Sequence, residues 1–411
     1  MKRRDFLKLA GAISLAGCAT PTPSKARVVV VGGGFGGATA AKYIRLWDPS
    51  IDVVLIERET SFTSCPISNL VLAGYSSMQD ISHGYDGLRR HGVQVVQDEA
   101  VAVDVARKTV RLARGGDVAY ERLIVSLGID FMFGEVQGYE PAMQSGAVLH
   151  AWKAGPQTVA LRRQLEQMRD GGVYVLSIPL APYRCPPGPY ERMSMVAAYF
   201  KQAKPRSKVL VLDANPDVTS KGGLFKAAWK DLYGGVIEYR GGAKVVAVAP
   251  GSVRTEFETV RGDVLNVVPP HRAGDIAAKS GLITTNNRWC DVDWRSMESK
   301  AVKGVHVLGD ATLSAPGMPK SGSMANNHAK IAAAAVVELL NGRTPAPPKI
   351  INTCYSFVSQ KEAIRVSSVH EWDGKTLTPV KGAGGVSAAR SEAEASFAWN
   401  WAKTIWTDSL A

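Results

Sequence analysis

Short apolar runs alternate with helical stripes along most of this chain. Arg27 to Val31 is a β-branched run that ends in Gly32-Gly33-Gly34-Phe35-Gly36-Gly37. A helical pattern follows from Ala38 to Leu46, and Ile51 to Ile56 reads as a second strand ending at Glu57. The alternation returns further on, with a helical pattern from Thr158 to Arg169, a strand from Val173 to Ile178 and another from Lys208 to Asp213. An Ala-rich helical segment follows Ser323, Pro345 to Pro348 reads as a linker, Thr353-Cys354-Tyr355-Ser356 as the first ordered element after it, and Glu392 to Trp406 as an amphipathic helix. Strands alternating with helices predict an α/β fold. No internal repeat beyond the two α/β units is present.

The first unit carries a nucleotide fingerprint. Gly32, Gly34 and Gly37, with Gly36 between them, stand between strand and helix, and Glu57 follows 20 positions beyond the last glycine, with Arg58 beside it. Small residues let the backbone approach a pyrophosphate, the helix N-terminus offers free amides, and the carboxylate accepts from ribose hydroxyls. Tyr120 to Gly128 resembles the strand and turn with which flavoprotein disulfide reductases leave their first domain, and Gly304 to Asp310 resembles their second flavin motif, whose aspartate binds the ribityl chain. Three matches in the correct order imply FAD.

The second unit keeps the frame and changes the turn. Where another glycine fingerprint for a nicotinamide would stand, the chain reads Ala181-Pro182-Tyr183-Arg184-Cys185-Pro186-Pro187-Gly188-Pro189-Tyr190-Glu191. Proline removes amide donors, so a phosphate cradle is not expected there. The electrons must enter from something other than a nicotinamide.

Composition adds an address and excludes some functions. A chain of 411 residues, 45% apolar and 21% charged, suits two or three globular domains. Its formal charge of +12 falls to +8 once Lys2, Arg3, Arg4, Lys8, Lys25 and Asp5 are set aside. That excess suits an acidic protein partner better than nucleic acid, since no dense basic run with interleaved aromatics appears. Arg3-Arg4 followed by a short apolar run resembles a twin-arginine export signal over residues 1–26, and Leu15 to Cys18 resembles a lipobox. The expectation is a periplasmic protein with no transmembrane span, lipid-anchored if Cys18 is processed. Cys65, Cys185, Cys290 and Cys354 would then meet an oxidising compartment.

Over nearly its whole mature length the sequence resembles the flavoprotein subunit of flavocytochrome c sulfide dehydrogenase. The stretches that carry the resemblance are His83 to Arg89, His150 to Gly155, Arg184 to Glu191, Pro316 to Gly322 and Asn352 to Ser356. It implies two Rossmann-like domains, the second without a nucleotide fingerprint, and a small flavin-covering domain. The expected division is FAD-binding segments at 27–150 and 275–344, the second α/β unit at 151–274 and the C-terminal domain at 345–411. The resemblance also implies that Cys65 bonds covalently to the flavin, that Cys185 and Cys354 form a redox-active disulfide attacked by sulfide, and that Glu191 is the acid/base. Lys320, Ser321 and Gly322, ahead of the Ala-rich helix, would stabilise charge on the reduced cofactor, and Trp401 would pack beside it. Cys290 matches a position without a catalytic role and reads as a buried free thiol. No metal site is expected. Because no Cys-x-x-Cys-His occurs, the implied electron acceptor is a c-type cytochrome on another polypeptide. Two alternatives stay open: a sulfide:quinone oxidoreductase, for which the C-terminal segment with Glu392, Glu394, Lys403 and Asp408 is too polar to insert deeply in a membrane, and an exported electron-transfer flavoprotein without sulfide activity.

Overall fold

A computed structural model describes residues 26–411; the arginine pair, the lipobox and Cys18 lie outside them. The first sheet has seven strands, in the order Val292–Asp293, Glu298–Ser299, Val305–Val307, Arg122–Val125, Ala26–Val31, Ile51–Glu57, Gln94–Gln97. The last five run parallel and the first two antiparallel. Val28, Val29 and Val30 are fully buried, as expected for a parallel strand covered on both faces. The helices Phe35–Trp47 and Gly322–Leu340 pack together over this sheet.

The second sheet has four parallel strands, in the order Ile237–Gly241, Lys208–Asp213, Val173–Ile178, Val264–Val267. Gly188–Ala203 and Gly222–Tyr233 are its helices nearest the site. The chain crosses between the two sheets through Ile129–Phe131 and returns through His271–Ala273, which pair antiparallel. Val136, Tyr139, Ala142 and Val148 already pack on the second sheet, against Val175, Leu210 and Leu265. This stretch, expected within the first FAD-binding segment, thus packs on the second sheet.

The third section is an antiparallel sheet, Lys349–Phe357, Ala363–Trp372 and Leu377–Val386, followed by the helix Glu392–Leu410. Ser391 caps that helix by accepting the Glu394 amide at 3.1 Å. The helix runs past the Trp406 expected as its end because its last turn is docked on the first unit. Asp408 accepts from Tyr43 Oη at 2.6 Å, pairs with Lys330 at 2.8 Å and accepts from Asn326 Nδ2 at 2.7 Å, while Trp406 and Leu410 are buried. Among the described residues no helix is long and apolar enough to cross a membrane.

Candidate active site

A cavity of about 1180 Å³ follows the carboxyl edge of the first sheet, where ligands of open α/β sheets bind. The parallel register brings Gly32, Glu57, Ser126 and Leu308, each at the end of a strand or just beyond it, onto this edge. Two glycines at the junction of strand and helix admit no side chain. Gly32 has φ +97°, and a Cβ at Gly37 would lie 1.8 Å from the Gly32 carbonyl oxygen. Helix Phe35–Trp47 starts at Gly34 without a side-chain cap, which leaves its first amides to a ligand phosphate. Glu57 sits beside this turn, accepting the Gly33 amide at 2.6 Å. Arg58 lines the same wall and pairs with Glu59 and Glu99 at the surface.

These residues fit FAD. Asp310 faces the cavity almost fully buried, its Oδ1 without a hydrogen-bond partner among the described residues, and burial raises its pKa above the ordinary carboxylate range. A ligand hydroxyl at that point would satisfy the orphaned acceptor. Gly128, with φ +66°, lies on the same wall. Across the cavity, Ser321 caps helix Gly322–Leu340 by accepting the Met324 amide at 3.1 Å, and Gly322 lies where a Cβ would press on the Phe35 ring at 2.8 Å. Trp401 and Tyr355 line the opposite side, with ring centroids 6.2 Å apart.

Three cysteines open onto this one cavity from three parts of the chain. Cys65 stands between the strand Phe62–Thr63 and the helix Ser68–Ala73, its sulfur 3.5 Å from the Ala154 amide and 3.4 Å from Arg184 Nη2. Cys185 comes from the proline-rich turn, in the left-handed conformation at φ +59°. It is held there by its amide to Lys320 O and its carbonyl to the Gly188 amide, both at 2.8 Å. Cys354 comes from the strand Lys349–Phe357, its sulfur 3.5 Å from Asn352 Oδ1. The Cys185 and Cys354 thiols are close enough to influence one another, and burial pushes the pKa of each up. None of the four described cysteines is bonded to another, so the expected Cys185–Cys354 bond is not formed here. Cys290 is fully buried in the core, its pKa pushed up to about 12 by burial.

Glu191 lines the same cavity, close enough to Cys185 to influence it. Its Oε2 accepts Asn69 Nδ2 and its Oε1 accepts the Phe357 amide, both at 2.7 Å. Burial raises its pKa, against the pull of those two donors. Asn69 is fixed in turn by Arg192, which also donates to the carbonyls of His150 and Ala151 and to Asn266. This buried guanidinium, stacked over the Trp152 ring at 4.7 Å, ties the helix Gly188–Ala203 to His150 and Ala151 and to the strand Val264–Val267. Arg184 and Trp152 fall inside stretches whose resemblance was noted above, but their contacts, like those of Asn69, depend on tertiary packing that no local motif encodes.

One lysine departs from the sequence-based reading and another was missed by it. Lys320 does not line the cavity. Its buried ammonium donates to the carbonyls of Asp310 and Thr312 and lies 3.7 Å from the Trp289 ring centre. Burial lowers its pKa to about 8, and its backbone, through the bond to Cys185, is what touches the site. Lys221, which no motif marked, is buried behind the sulfur pair and donates to Cys354 O at 3.2 Å and Ser356 Oγ at 2.8 Å.

The crevice of the second unit is filled by the protein itself. Asp213, at the end of its strand, is fully buried and accepts from Tyr190 Oη and Tyr239 Oη, both at 2.8 Å, and from the Asn215 amide and Nδ2 at 2.9 and 2.7 Å. Tyr183, also buried, donates to Pro186 O at 3.2 Å.

Comparison with known proteins matches three profiles along the chain. The profile of the central part of the flavocytochrome c sulfide dehydrogenase flavoprotein chain matches residues 158–269, that of the flavocytochrome c sulphide dehydrogenase flavin-binding region matches 346–410, and that of pyridine nucleotide-disulphide oxidoreductases matches 26–158. A sulfide dehydrogenase [flavocytochrome c] flavoprotein chain of Chlorobaculum thiosulfatiphilum is 67% identical over 45 residues, 11% of this chain and 94% of that sequence. The mitochondrial sulfide:quinone oxidoreductase of Mus musculus is 24% identical over 336 residues, 75% of this chain and 71% of that protein. The solved sulfide:quinone oxidoreductase of Aquifex aeolicus shares the fold with a TM-score of 0.77 at 19% identity, covering 93% of this chain and 91% of that one. With its second and third sections matched by sulfide dehydrogenase profiles and its first by the disulphide oxidoreductase profile, the chain belongs to the sulfide-oxidising FAD flavoproteins.

Proposed function

We propose that the chain is a sulfide dehydrogenase that oxidises hydrosulfide through a Cys185–Cys354 disulfide and FAD and passes the electrons singly to a c-type cytochrome. The observation that carries this reading is the meeting of Cys185 and Cys354, from different sections of the chain, on the wall of the FAD cavity beside Glu191. Hydrosulfide attacks one sulfur of the oxidised pair. A bond forms to the sulfide sulfur, the Cys185–Cys354 bond breaks, and its electron pair stays on the other sulfur as a thiolate. The persulfide proton passes to Glu191, whose raised pKa suits a proton acceptor working nearer neutrality. A second hydrosulfide then attacks the outer sulfur, the bond from that sulfur to the cysteine breaks, and the two sulfurs leave as a hydrogen disulfide anion, so that two cysteine thiolates remain to close again into a disulfide. Bound FAD supplies the two-electron acceptor that this closure requires.

Anaerobic rapid mixing with sulfide tests the reading. Wild-type flavin absorbance should bleach at stoichiometric sulfide. Cys185→Ser and Cys354→Ser should stay yellow and folded, be reduced by dithionite, and show no measurable bleaching by sulfide. A disulfide that served only as a staple would instead cost about 2–5 kcal/mol of stability and leave bleaching intact, so wild-type rates in either variant overturn the mechanism. The whole-length fold likeness to sulfide:quinone oxidoreductase supports a second reading, with a quinone as acceptor. Reoxidation of the sulfide-reduced protein by a c-type cytochrome but not by a short-chain quinone favours the first, and the reverse favours the second.

The same reading places the flavin in covalent linkage to Cys65, supported by the sulfur's position in the cavity wall. Flavin should then stay with the polypeptide on acid precipitation and be released by Cys65→Ser; equal release from both proteins excludes the bond. It also places the protein in the periplasm, on the strength of Arg3-Arg4 and Leu15 to Cys18. A Lys-Lys leader should strand it in the cytoplasm, and mass at the mature N-terminus reports whether Cys18 carries lipid.

A further inference from the structure

Lys221 is a buried cation without a carboxylate in contact. It is 7% exposed, and among the described residues its Nζ bonds only to neutral oxygens, Cys354 O at 3.2 Å and Ser356 Oγ at 2.8 Å. These are alternate residues of one strand, so the lysine lies along the strand face that runs beside the sulfur. Burying an ammonium without an anion is costly. The chain also holds Lys221 in the left-handed conformation, φ +55°, as it holds Cys185 at φ +59°. Backbone strain of this kind persists where surrounding structure imposes it, commonly at working sites.

The charged and titratable groups that face Lys221 are Cys354 on that strand, Glu191 on the helix Gly188–Ala203, Cys185 on the turn and Glu394 on the C-terminal helix. Glu191 already accepts from Asn69 and Phe357, and Glu394 accepts from Ser387 Oγ at 2.7 Å. Cys185 is pulled on first by a different cation, Arg184, whose guanidinium donates to Trp152 O and to the Cys65 sulfur, and only then by Lys221. The two sulfurs are therefore unequal.

We propose that Lys221 is a positioning residue that directs the negative charge of the opened disulfide onto Cys354, so that hydrosulfide bonds to Cys185. This rests on the sulfide reading above and adds the direction of attack. The bond that forms joins the sulfide sulfur to Cys185 Sγ, the bond that breaks is Cys185 Sγ–Cys354 Sγ, and the electron pair lands on Cys354 Sγ beside the ammonium. The sulfide sulfur is oxidised and Cys354 reduced, and the proton on the new persulfide leaves to Glu191. Burial lowers the pKa of Lys221 to about 8, which keeps it mostly charged at neutral pH, and of the groups around Cys354 it does the most to draw that thiol's pKa down against burial.

The test is site-resolved alkylation of the reduced, FAD-containing protein with iodoacetamide from pH 6.5 to 9.5, reading the Cys354 and Cys185 peptides by mass spectrometry. In the wild type Cys354 should react at lower pH than Cys185. Lys221→Met should move the Cys354 midpoint up by about one unit or more, shift Cys185 less, and slow sulfide-driven bleaching while dithionite reduction is unchanged. Lys221→Arg should restore the Cys354 profile. A lysine that only supported the fold would, on removal, expose both sulfurs and speed both reactions. That result, or an unmoved Cys354 midpoint, overturns the proposal. If Lys221→Met does not fold, Lys221→Gln against Lys221→Arg decides, since only arginine keeps the charge. Failure of sulfide to bleach the wild type would overturn the sulfide reading, whereas the alkylation profiles report on Lys221 independently.

Discussion

The two α/β units share one plan, a strand, a turn, a helix and a second strand ending in a carboxylate, and they use it oppositely. In the first, three residues, Gly32 to Gly34, connect strand to helix; in the second, nine do, Pro179 to Pro187. Glu57 and Asp213 hold the same place at the end of the second strand. Glu57 stands half-exposed on the cavity wall with one turn amide bound, while Asp213 is sealed under two tyrosines and Asn215. A short glycine turn keeps the crevice open and lines it with amides. A long proline turn sends Tyr183 and Tyr190 into the crevice and carries Cys185 out of it, towards the other unit's cavity. What a doubly wound scaffold binds is thus decided in the turn, with the sheet left almost unchanged.

The largest effect should come from closing the first turn. Gly37→Ala places a Cβ against the Gly32 carbonyl, where no side chain can move aside. Loss of more than about 4 kcal/mol and of nearly all bound flavin is expected, read from the ratio of flavin to protein absorbance and from denaturant melts. At the start of the second helix, Gly188→Ala meets the Cys185 sulfur at 2.9 Å and the Trp152 ring at 3.0 Å. It should keep the flavin and slow bleaching by sulfide. Flavin loss of equal size in both variants would mean that the two turns do not divide the work in this way.

Exchanging the fates of the two carboxylates sharpens the contrast. Asp213→Leu leaves two tyrosine hydroxyls and two N–H groups of Asn215 without their acceptor, a cost of about 3–5 kcal/mol, with flavin content per folded molecule unchanged. Glu57→Leu frees amides at a wetter site, costs about 1 kcal/mol, and should lower flavin retention in protein whose Cys65 is replaced by serine. A drop in flavin retention with Asp213→Leu as large as that with Glu57→Leu would show that the second crevice still serves the cofactor.

The strands Val173–Ile178 and Lys208–Asp213 match their sequence-based bounds, because a short apolar run bounded by breakers admits little else. Helix ends were less legible. The one expected over residues 158–169 spans Pro156–Gln167, since Pro156 is preorganised for a first turn, and the last helix is extended by docking that only the folded chain provides. At the site, Gly32, Gly34, Gly36, Glu57, Gly128, Asp310 and Ser321, all carried by local motifs, line the cavity, while Gly37 lies behind it against the Gly32 carbonyl. Lys320 shows the limit: a motif places its backbone, but which way its side chain turns depends on Trp289 and on the carbonyls of Asp310 and Thr312, which the fold brings beneath it. Lys221, Arg192 and Asn69 were illegible for the same reason, as each matters only through partners that packing brings to it.

The smallest expected effect probes how tightly the second crevice is sealed. Tyr239 and Tyr190 donate to the same oxygen of Asp213, Oδ2. Tyr239 is half-exposed, so Tyr239→Phe removes one donor at a site where Tyr190 and Asn215 still satisfy the carboxylate, and should cost about 1 kcal/mol. Tyr190 is fully buried and its oxygen also accepts the Thr219 amide at 3.1 Å, so Tyr190→Phe strands that amide and should cost about 2 kcal/mol. With both hydroxyls gone, Oδ2 loses both donors in a buried place, and the double variant should exceed the sum of the singles by about 1 kcal/mol. Urea melts of the four proteins measure this coupling. Additive losses would mean that water already reaches Asp213, and that the tyrosines decorate the crevice without closing it.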